Sequence, residues 1–229
     1  FEGDQWTFVK PPHDELRDLY GIDCQAVNCW RPLLEHAEEH LAAGKVISTE
    51  GDAWWLPDVA GTDYRRAHVK STIVLVELDV ERRRLGYFHN AGYYTLDGED
   101  FAKTFGLDDP PLMPFFAELV RIDRKLVRPP DFVRELSRRL LARHIARRTA
   151  ENPVHKFAAR FTRDLPVLQA KGLAHYHVWA FATVRQLGAA AELMARYVEW
   201  LELGEGAPAV AAYERISAGA KTFILKAAR

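Results

Sequence analysis

A histidine and an asparagine flank two adjacent apolar segments and have the chemistry of a general base with an orienting partner. His68 precedes the first segment, and Asn90 follows the second. Because an imidazole has a pKa near neutrality, it can accept a proton, and a neighbouring amide can fix its tautomer through the other ring nitrogen. We therefore interpret His68 as a candidate catalytic base and Asn90 as its orienting residue. Three nearby residues are candidate supporting groups: Asp52, Tyr64 and His89.

The two apolar segments are the elements that must position this pair. Residues 69–78 and 85–89 are rich in β-branched and apolar side chains, as buried strands are. Residues 79–84 between them are charged, which is typical of an exposed hairpin connection and makes the two strands antiparallel. The start of the first strand and the end of the second then lie at the same edge of the sheet. The pattern therefore predicts that His68 and Asn90 approach each other.

Two cysteines, Cys24 and Cys29, are the thiols of this sequence. They are too few for a disulfide framework, so the composition favours a reducing compartment, and we expect a cytoplasmic protein. Cys29 precedes a predicted helix that begins near Pro32, where a helix dipole favours the thiolate, and it is therefore an alternative nucleophile. The other interpretation is that both cysteines are small buried apolar side chains, which is common in intracellular proteins.

The segment His36-Ala37-Glu38-Glu39-His40 matches the inverted zincin pattern, in which two histidines one helical turn apart chelate one metal ion. On a helical wheel both histidines lie at the edge of the apolar stripe, toward water, and no third ligand is evident. We therefore expect a solvated helix face, no metal and no cofactor. A zinc hydrolase built on His36 and His40 is the less favoured alternative.

An arginine-rich stretch, residues 121–148, interrupts an otherwise balanced charge distribution. The whole chain has a formal net charge of −1, so neither nucleic acid nor an anionic membrane is expected as a partner. A basic helix face within the stretch can bind an acidic protein, although such a face is also common where a helix is simply solvated. Four arginines are the candidate contacts: Arg134, Arg138, Arg139 and Arg143.

The composition changes from strands to helices after two consecutive prolines at residues 110–111. Residues 1–112 contain the β-type segments, whereas residues 113–229 have helical spacing interrupted by glycines, including Gly172 and Gly188. With 229 residues, 48% of them hydrophobic, the chain can bury one good-sized core and a smaller helical region. We predict an α+β fold with a central antiparallel sheet and a C-terminal helical lobe. No stretch approaches the roughly 20 apolar residues of a membrane span.

Two longer motifs surround the candidate pair: EGDAWWLPDVAGTDYRRAHVKSTIVLVELD at residues 50–79 and RRLGYFHNAGYYTLDGEDF at residues 83–101. Together with FEGDQWTF, YGID and WRPLLEHAEEHLAAGK, they resemble the bacterial family called domain of unknown function 1839. The resemblance covers most of the first half of the chain and extends into the helices. It is specific in sequence, but the family name carries no function.

More distantly, the order of an acidic residue, Leu-Pro, tyrosine, histidine, apolar strand and Gly-Tyr is similar to butirosin-type acyltransferases with a papain-like fold. The similarity implies a papain-like core that moves an acyl or aminoacyl group from the phosphopantetheine thioester of a carrier protein to a small-molecule amine. It also implies a Cys-His-Asn type site whose cysteine is expected upstream of Phe1, and in the papain-like pattern the histidine falls at the position of Ser71 or Thr72. The alternative is a non-catalytic papain-like scaffold that binds a carrier protein or a synthetase.

Overall fold

The computed structural model describes residues 12–109 and 115–228, which form two compact units. A sheet unit comprises Pro12–Val127, and a helical unit comprises Arg128–Arg229. The predicted antiparallel sheet and the predicted C-terminal helical region are both confirmed. The short strand that alternation of apolar and polar residues indicates at residues 5–10 lies outside the described residues. In the described ranges, no helix has both the length and the apolar character needed to cross a membrane.

Six strands form one antiparallel sheet in the order β1-β6-β2-β3-β4-β5. The strands are β1 (Asp23–Val27), β2 (Val46–Asp52), β3 (Lys70–Asp79), β4 (Arg84–His89), β5 (Gly92–Asp97) and β6 (Ala117–Arg121). The charged stretch after β3 does form a hairpin turn, and Leu78 lies opposite Leu85 where the two strands pair. The hairpin therefore brings the start of β3 and the end of β4 to the same edge, as the sequence predicts.

One face of the sheet carries the hydrophobic core. Because side chains alternate along a strand, Ile73 and Leu75 of β3 share this face with Leu85 and Tyr87 of β4, and all four are fully buried. Three helices belong to this unit: α1 (His13–Tyr20), α2 (Leu33–Ala42) and α3 (Gly98–Phe105). Helices α2 and α3 contribute Leu33, Leu34, Ala37, Phe101 and Phe105 to the same core.

The helical unit consists of four helices: α4 (Pro130–Ala146), α5 (Pro153–Ala182), α6 (Val184–Trp200) and α7 (Ala207–Ala227). Gly172 kinks α5 with φ of 78°, which matches its predicted role as a break. Gly188, also predicted as a break, instead lies within α6. A side chain at Gly188 would place its Cβ 2.9 Å from the Cβ of Ala220, so this glycine permits close packing of α6 on α7.

The two units divide at Val127, whereas the sequence predicts the division at residue 112. The difference arises from β6, which follows the double proline and pairs with both β1 and β2 inside the sheet. Its sequence, Ala-Glu-Leu-Val-Arg, has only five residues, two of them charged, so its alternation gives a weak strand signal. Residues that the composition assigns to the helical lobe therefore complete the sheet.

Candidate functional site

Three side chains of the sheet unit form a continuous chain of hydrogen bonds in the order Ser71, His89, Asp58. The Oγ atom of Ser71 lies 2.6 Å from Nε2 of His89. The Nδ1 atom of the same ring lies 2.6 Å from Oδ2 of Asp58. A hydroxyl, an imidazole and a carboxylate connected in this order have the geometry of a nucleophile, its general base and the group that orients the base.

Strand register places two of these residues side by side. Ser71 lies on β3 with the same parity as Ile73, and His89 lies on β4 with the same parity as Tyr87, so both side chains face the core side of the sheet. Asp58 comes from a short 3-10 turn, Pro57–Val59, which follows the fully buried Leu56. The turn thus carries a carboxylate over the end of β4.

The hydrogen-bond partners of His89 fit one neutral tautomer. In that tautomer Asp58 accepts a hydrogen bond from Nδ1–H, and Nε2 accepts one from the Ser71 hydroxyl. The hydroxyl of Tyr87 donates to the other carboxylate oxygen of Asp58 over 2.5 Å. Burial and this hydrogen bond hold the pKa of Tyr87 well above its usual range, so Tyr87 stays a donor. Both oxygens of Asp58 therefore have partners.

Asn90 touches the same imidazole. Its Nδ2 atom lies 3.4 Å from Nε2 of His89, on the side that Ser71 also approaches. The backbone of Asn90 has φ of 50°, in the left-handed region that asparagine tolerates, because β4 turns sharply there into β5. Asn90 thus places its side-chain amide beside the Ser71 hydroxyl at Nε2 of His89.

His68 has a different partner, on the opposite face of the sheet. Its Nδ1 atom lies 2.7 Å from Oδ2 of Asp52, and its ring stacks on Trp54 with a centroid separation of 4.5 Å. Gly51 is the register partner of Ser71, so the next residue of β2, Asp52, faces away from Ser71. The structure therefore pairs His68 with Asp52 and Asn90 with His89. The hairpin pattern in the sequence predicts instead that His68 pairs with Asn90.

Family models match both units of the chain. One model, the DUF1839 N-terminal domain, covers residues 1–122, and the DUF1839 C-terminal domain covers residues 131–229. The chain belongs to the DUF1839 family. No curated protein matches the chain. Membership of the DUF1839 family thus confirms the resemblance of the long motifs, and the two family domains correspond closely to the sheet unit and the helical unit.

Tyr64 holds a loop of this DUF1839 domain onto α3. Its hydroxyl donates to Oδ2 of Asp100 over 2.9 Å, and Arg65 donates to Oδ1 of the same carboxylate over 2.6 Å. The guanidinium of Arg65 also lies over the ring of Trp55 at 4.3 Å. Tyr64, expected as a supporting group of the site, therefore bonds to the first turn of α3 and not to His68 or His89.

The surroundings of the remaining candidates disfavour a thiolate at Cys29 and a metal ion at His36 and His40. Cys29 packs against the core, and burial raises the pKa of its thiol, which disfavours the thiolate. At His36, Nε2 accepts from the backbone N–H of Arg31, and the guanidinium of that arginine lies 3.5 Å from Nδ1. Burial, then the charge of Lys45, lower the pKa of His40. A cation beside each histidine opposes binding of a metal ion between them.

Two of the four candidate arginines stabilise the helical unit itself. Arg138 donates twice to the carbonyl oxygen of Leu201, over 2.6 and 3.0 Å, at the end of α6. Arg134 donates to the carbonyl oxygen of Trp200 and forms an ion pair with Glu202. A guanidinium at these positions satisfies the last carbonyl groups of a helix. Arg139 and Arg143 are exposed, and neither forms an ion pair within the described residues.

Sequence reasoning missed Ser71 and Asp58 as site residues. The only signal at Ser71 is its parity: a small hydroxyl precedes Ile73 and Leu75 at core-facing positions of one strand. Asp58 lies in a turn, and no local pattern connects it with a residue 31 positions later in β4. His89, expected as a supporting group, occupies the central position because the β3–β4 hairpin brings it beside Ser71.

Proposed function

We propose that the sheet unit catalyses acyl transfer, with Ser71 as nucleophile, His89 as general base and Asp58 as the group that orients the base. The observation that carries the proposal is the unbroken chain of two 2.6 Å hydrogen bonds from Ser71 through the imidazole to Asp58. A hydroxyl is a weak nucleophile by itself, and a hydrogen-bonded base with a fixed tautomer is the device that activates it. Ser71 is partly exposed, whereas His89 is buried.

The reaction proceeds in two steps, acylation of Ser71 and transfer of the acyl group to the acceptor. In the first step, the Ser71 oxygen attacks the carbonyl carbon of the donor while its proton moves to Nε2 of His89. The bond from that carbon to the leaving sulfur or oxygen then breaks, and His89 returns the proton to the leaving group. In the second step, His89 takes a proton from the acceptor, which attacks the carbonyl carbon of the Ser71 ester. The bond from that carbon to the Ser71 oxygen breaks, and His89 returns the proton to this oxygen. Asp58 stabilises the imidazolium that forms in both steps.

The donor and acceptor classes follow from the resemblance to papain-like acyltransferases. That resemblance supports an acyl thioester, carried on phosphopantetheine, as the donor and a small amine as the acceptor. The site that this resemblance implies has a cysteine nucleophile, expected upstream of Phe1, with His68 as the general base and Asn90 as its orienting residue. The geometry supports the same reaction on a serine with His89, and Asn90 then lies beside the reacting hydroxyl as a donor to developing charge.

A fluorophosphonate probe tests the nucleophile, because it forms a covalent bond to an activated serine and releases fluoride. We expect one probe per wild-type chain, located on the peptide that contains Ser71. Ser71→Ala abolishes this adduct. The matched control is Thr72→Ala, since Thr72 is the adjacent hydroxyl and is exposed on the other face of β3. The control retains labelling at the wild-type rate.

A second pair of variants covers the case in which Ser71→Ala fails to fold. Ser71→Cys places a thiol next to His89, and its alkylation by iodoacetamide is faster than in the double variant Ser71→Cys/His89→Gln. Equal alkylation rates contradict activation by His89, and a wild-type chain that resists the probe contradicts an activated serine. Acyl pantetheine thioesters then identify the donor, because the acyl group appears on Ser71 as a fixed mass increase.

A further inference from the structure

Three metal-ligating side chains from three different elements converge at the far edge of the sheet unit. His13 is the first residue of α1, Cys24 lies on β1, and Glu118 lies on β6. One ligand atom from each lies within 4.8 Å of the other two, and His13 Nε2 is 3.9 Å from Oε1 of Glu118. All three residues are partly buried. The site lies outside the Ser71 hydrogen-bond chain.

Strand pairing explains why these side chains meet. Ala26 is the register partner of Glu118, and Cys24 is the partner of Val120, so Cys24 and Glu118 point to the same face at diagonal positions of the β1–β6 ladder. The C-terminal end of α1 is held to the sheet unit, since the Leu126 N–H donates to the carbonyl oxygen of Tyr20 over 2.7 Å. This anchor directs the N-terminal end of α1, with His13, over the two strands.

We propose that His13, Cys24 and Glu118 bind one divalent ion of the zinc class. A thiolate, an imidazole and a carboxylate are all zinc ligands, and three protein ligands leave one coordination position for water or another small ligand. Metal–ligand bonds of about 2.0–2.3 Å put tetrahedral ligands roughly 3.3–3.8 Å apart. The three atoms therefore need to close by about 1 Å, which rotation of the side chains supplies.

The site differs from the histidine pair that the sequence suggests. His36 and His40 have the spacing of a zinc motif, but cationic Arg31 and Lys45 act on them. At the proposed site, a nearby carboxylate and an ionisable thiol provide negative charge for the cation. Helical spacing thus brings together His36 and His40, whereas strand register brings together the ligands of the proposed site.

Cobalt(II) is the test probe, because a tetrahedral cobalt–thiolate site gives intense visible bands and a sulfur-to-cobalt charge-transfer band in the near ultraviolet. We expect one cobalt ion per chain with both features, displaced by an equal amount of zinc. Cys24→Ser removes the charge-transfer band, and His13→Ala abolishes stoichiometric binding. The matched controls are Cys29→Ser and His36→Ala, which leave the spectrum and the stoichiometry unchanged.

Either of two results overturns the metal site. One is a wild-type chain that binds neither cobalt nor zinc after reduction of its thiols. The other is binding that Cys24→Ser leaves intact but Cys29→Ser or His36→Ala removes. Equilibrium dialysis with elemental analysis measures zinc directly and needs no catalytic activity, so the outcome is independent of the acyl-transfer proposal. Circular dichroism of each variant confirms that the comparison is between folded chains.

Discussion

Two carboxylate–histidine pairs lie near the same end of β3, on opposite faces of the sheet, and they differ in burial far more than in bond length. The pair His89–Asp58 joins over 2.6 Å, with both side chains 2% exposed. The pair His68–Asp52 joins over 2.7 Å, with side chains 51% and 11% exposed. The two hydrogen-bond distances are nearly equal, so the pairs differ mainly in their exposure to water.

In the buried pair, both carboxylate oxygens of Asp58 and both ring nitrogens of His89 contact other protein groups. Tyr87 occupies the second oxygen of Asp58, and Ser71 occupies the second nitrogen of His89, so removal of one member leaves another polar group buried without its partner. The exposed pair has water available to replace a lost partner. The buried pair therefore fits both a structural role and the proposed chemistry, whereas the exposed pair is expected to contribute less to stability.

The largest expected effect is on the free energy of unfolding. Asp58→Ala removes a buried carboxylate that two donors share, and we expect a loss of roughly 3–5 kcal/mol. The matched change on the other face, Asp52→Ala, removes the partner of an exposed histidine and a hydrogen bond from the Trp54 backbone N–H, and it should cost about 1–2 kcal/mol. Urea denaturation followed by tryptophan fluorescence measures both values. Similar losses for the two variants would remove the distinction between the pairs.

A smaller effect is expected for the hydroxyl that supports Asp58. Tyr87→Phe leaves one carboxylate oxygen without its buried donor, which costs about 1–3 kcal/mol. Tyr64→Phe is the control, because its partner Asp100 keeps a hydrogen bond from Arg65 and the expected loss is below about 1 kcal/mol. The same denaturation experiment compares them. A loss for Tyr87→Phe no larger than that for Tyr64→Phe would contradict a supporting role of the Tyr87 hydroxyl at Asp58.

The sequence predicts the hairpin that positions the site better than it predicts the partners within it. Apolar strands and a charged connection are local patterns, so the β3–β4 hairpin follows from them. The partner of His68 depends on pairing between β2 and β3, which are separated by the loop that contains Asp58. Only the folded sheet determines that Gly51 is the register partner of Ser71. Asp52, the next residue of β2, then points to the opposite face, where its carboxylate contacts His68. The register between two strands that a long loop separates leaves no local pattern in the sequence.

Apart from the control variants, the smallest expected effect on stability comes from the ring that covers His68. Trp54→Ala removes a stacked contact with an interplanar angle of 9°, and we expect a loss of about 1 kcal/mol. It should also raise the rate at which diethyl pyrocarbonate modifies His68, while His89 stays protected by burial. Peptide mass mapping over time separates the two histidines. Faster modification of His89 than of His68 in the wild-type chain would contradict their relative exposure.

The rate at which a fluorophosphonate labels Ser71 in two histidine variants tests the central claim most directly. The rate of fluorophosphonate labelling is measured for the wild-type chain, for His89→Gln and for His68→Gln under identical conditions. Because a positioned general base contributes about 10²–10⁴-fold, His89→Gln should lower the rate by at least about 100-fold. His68→Gln should leave the rate within a factor of about three, since its ring lies on the opposite face of the sheet. A large loss in His68→Gln with a normal rate in His89→Gln would contradict the account and assign the base to His68.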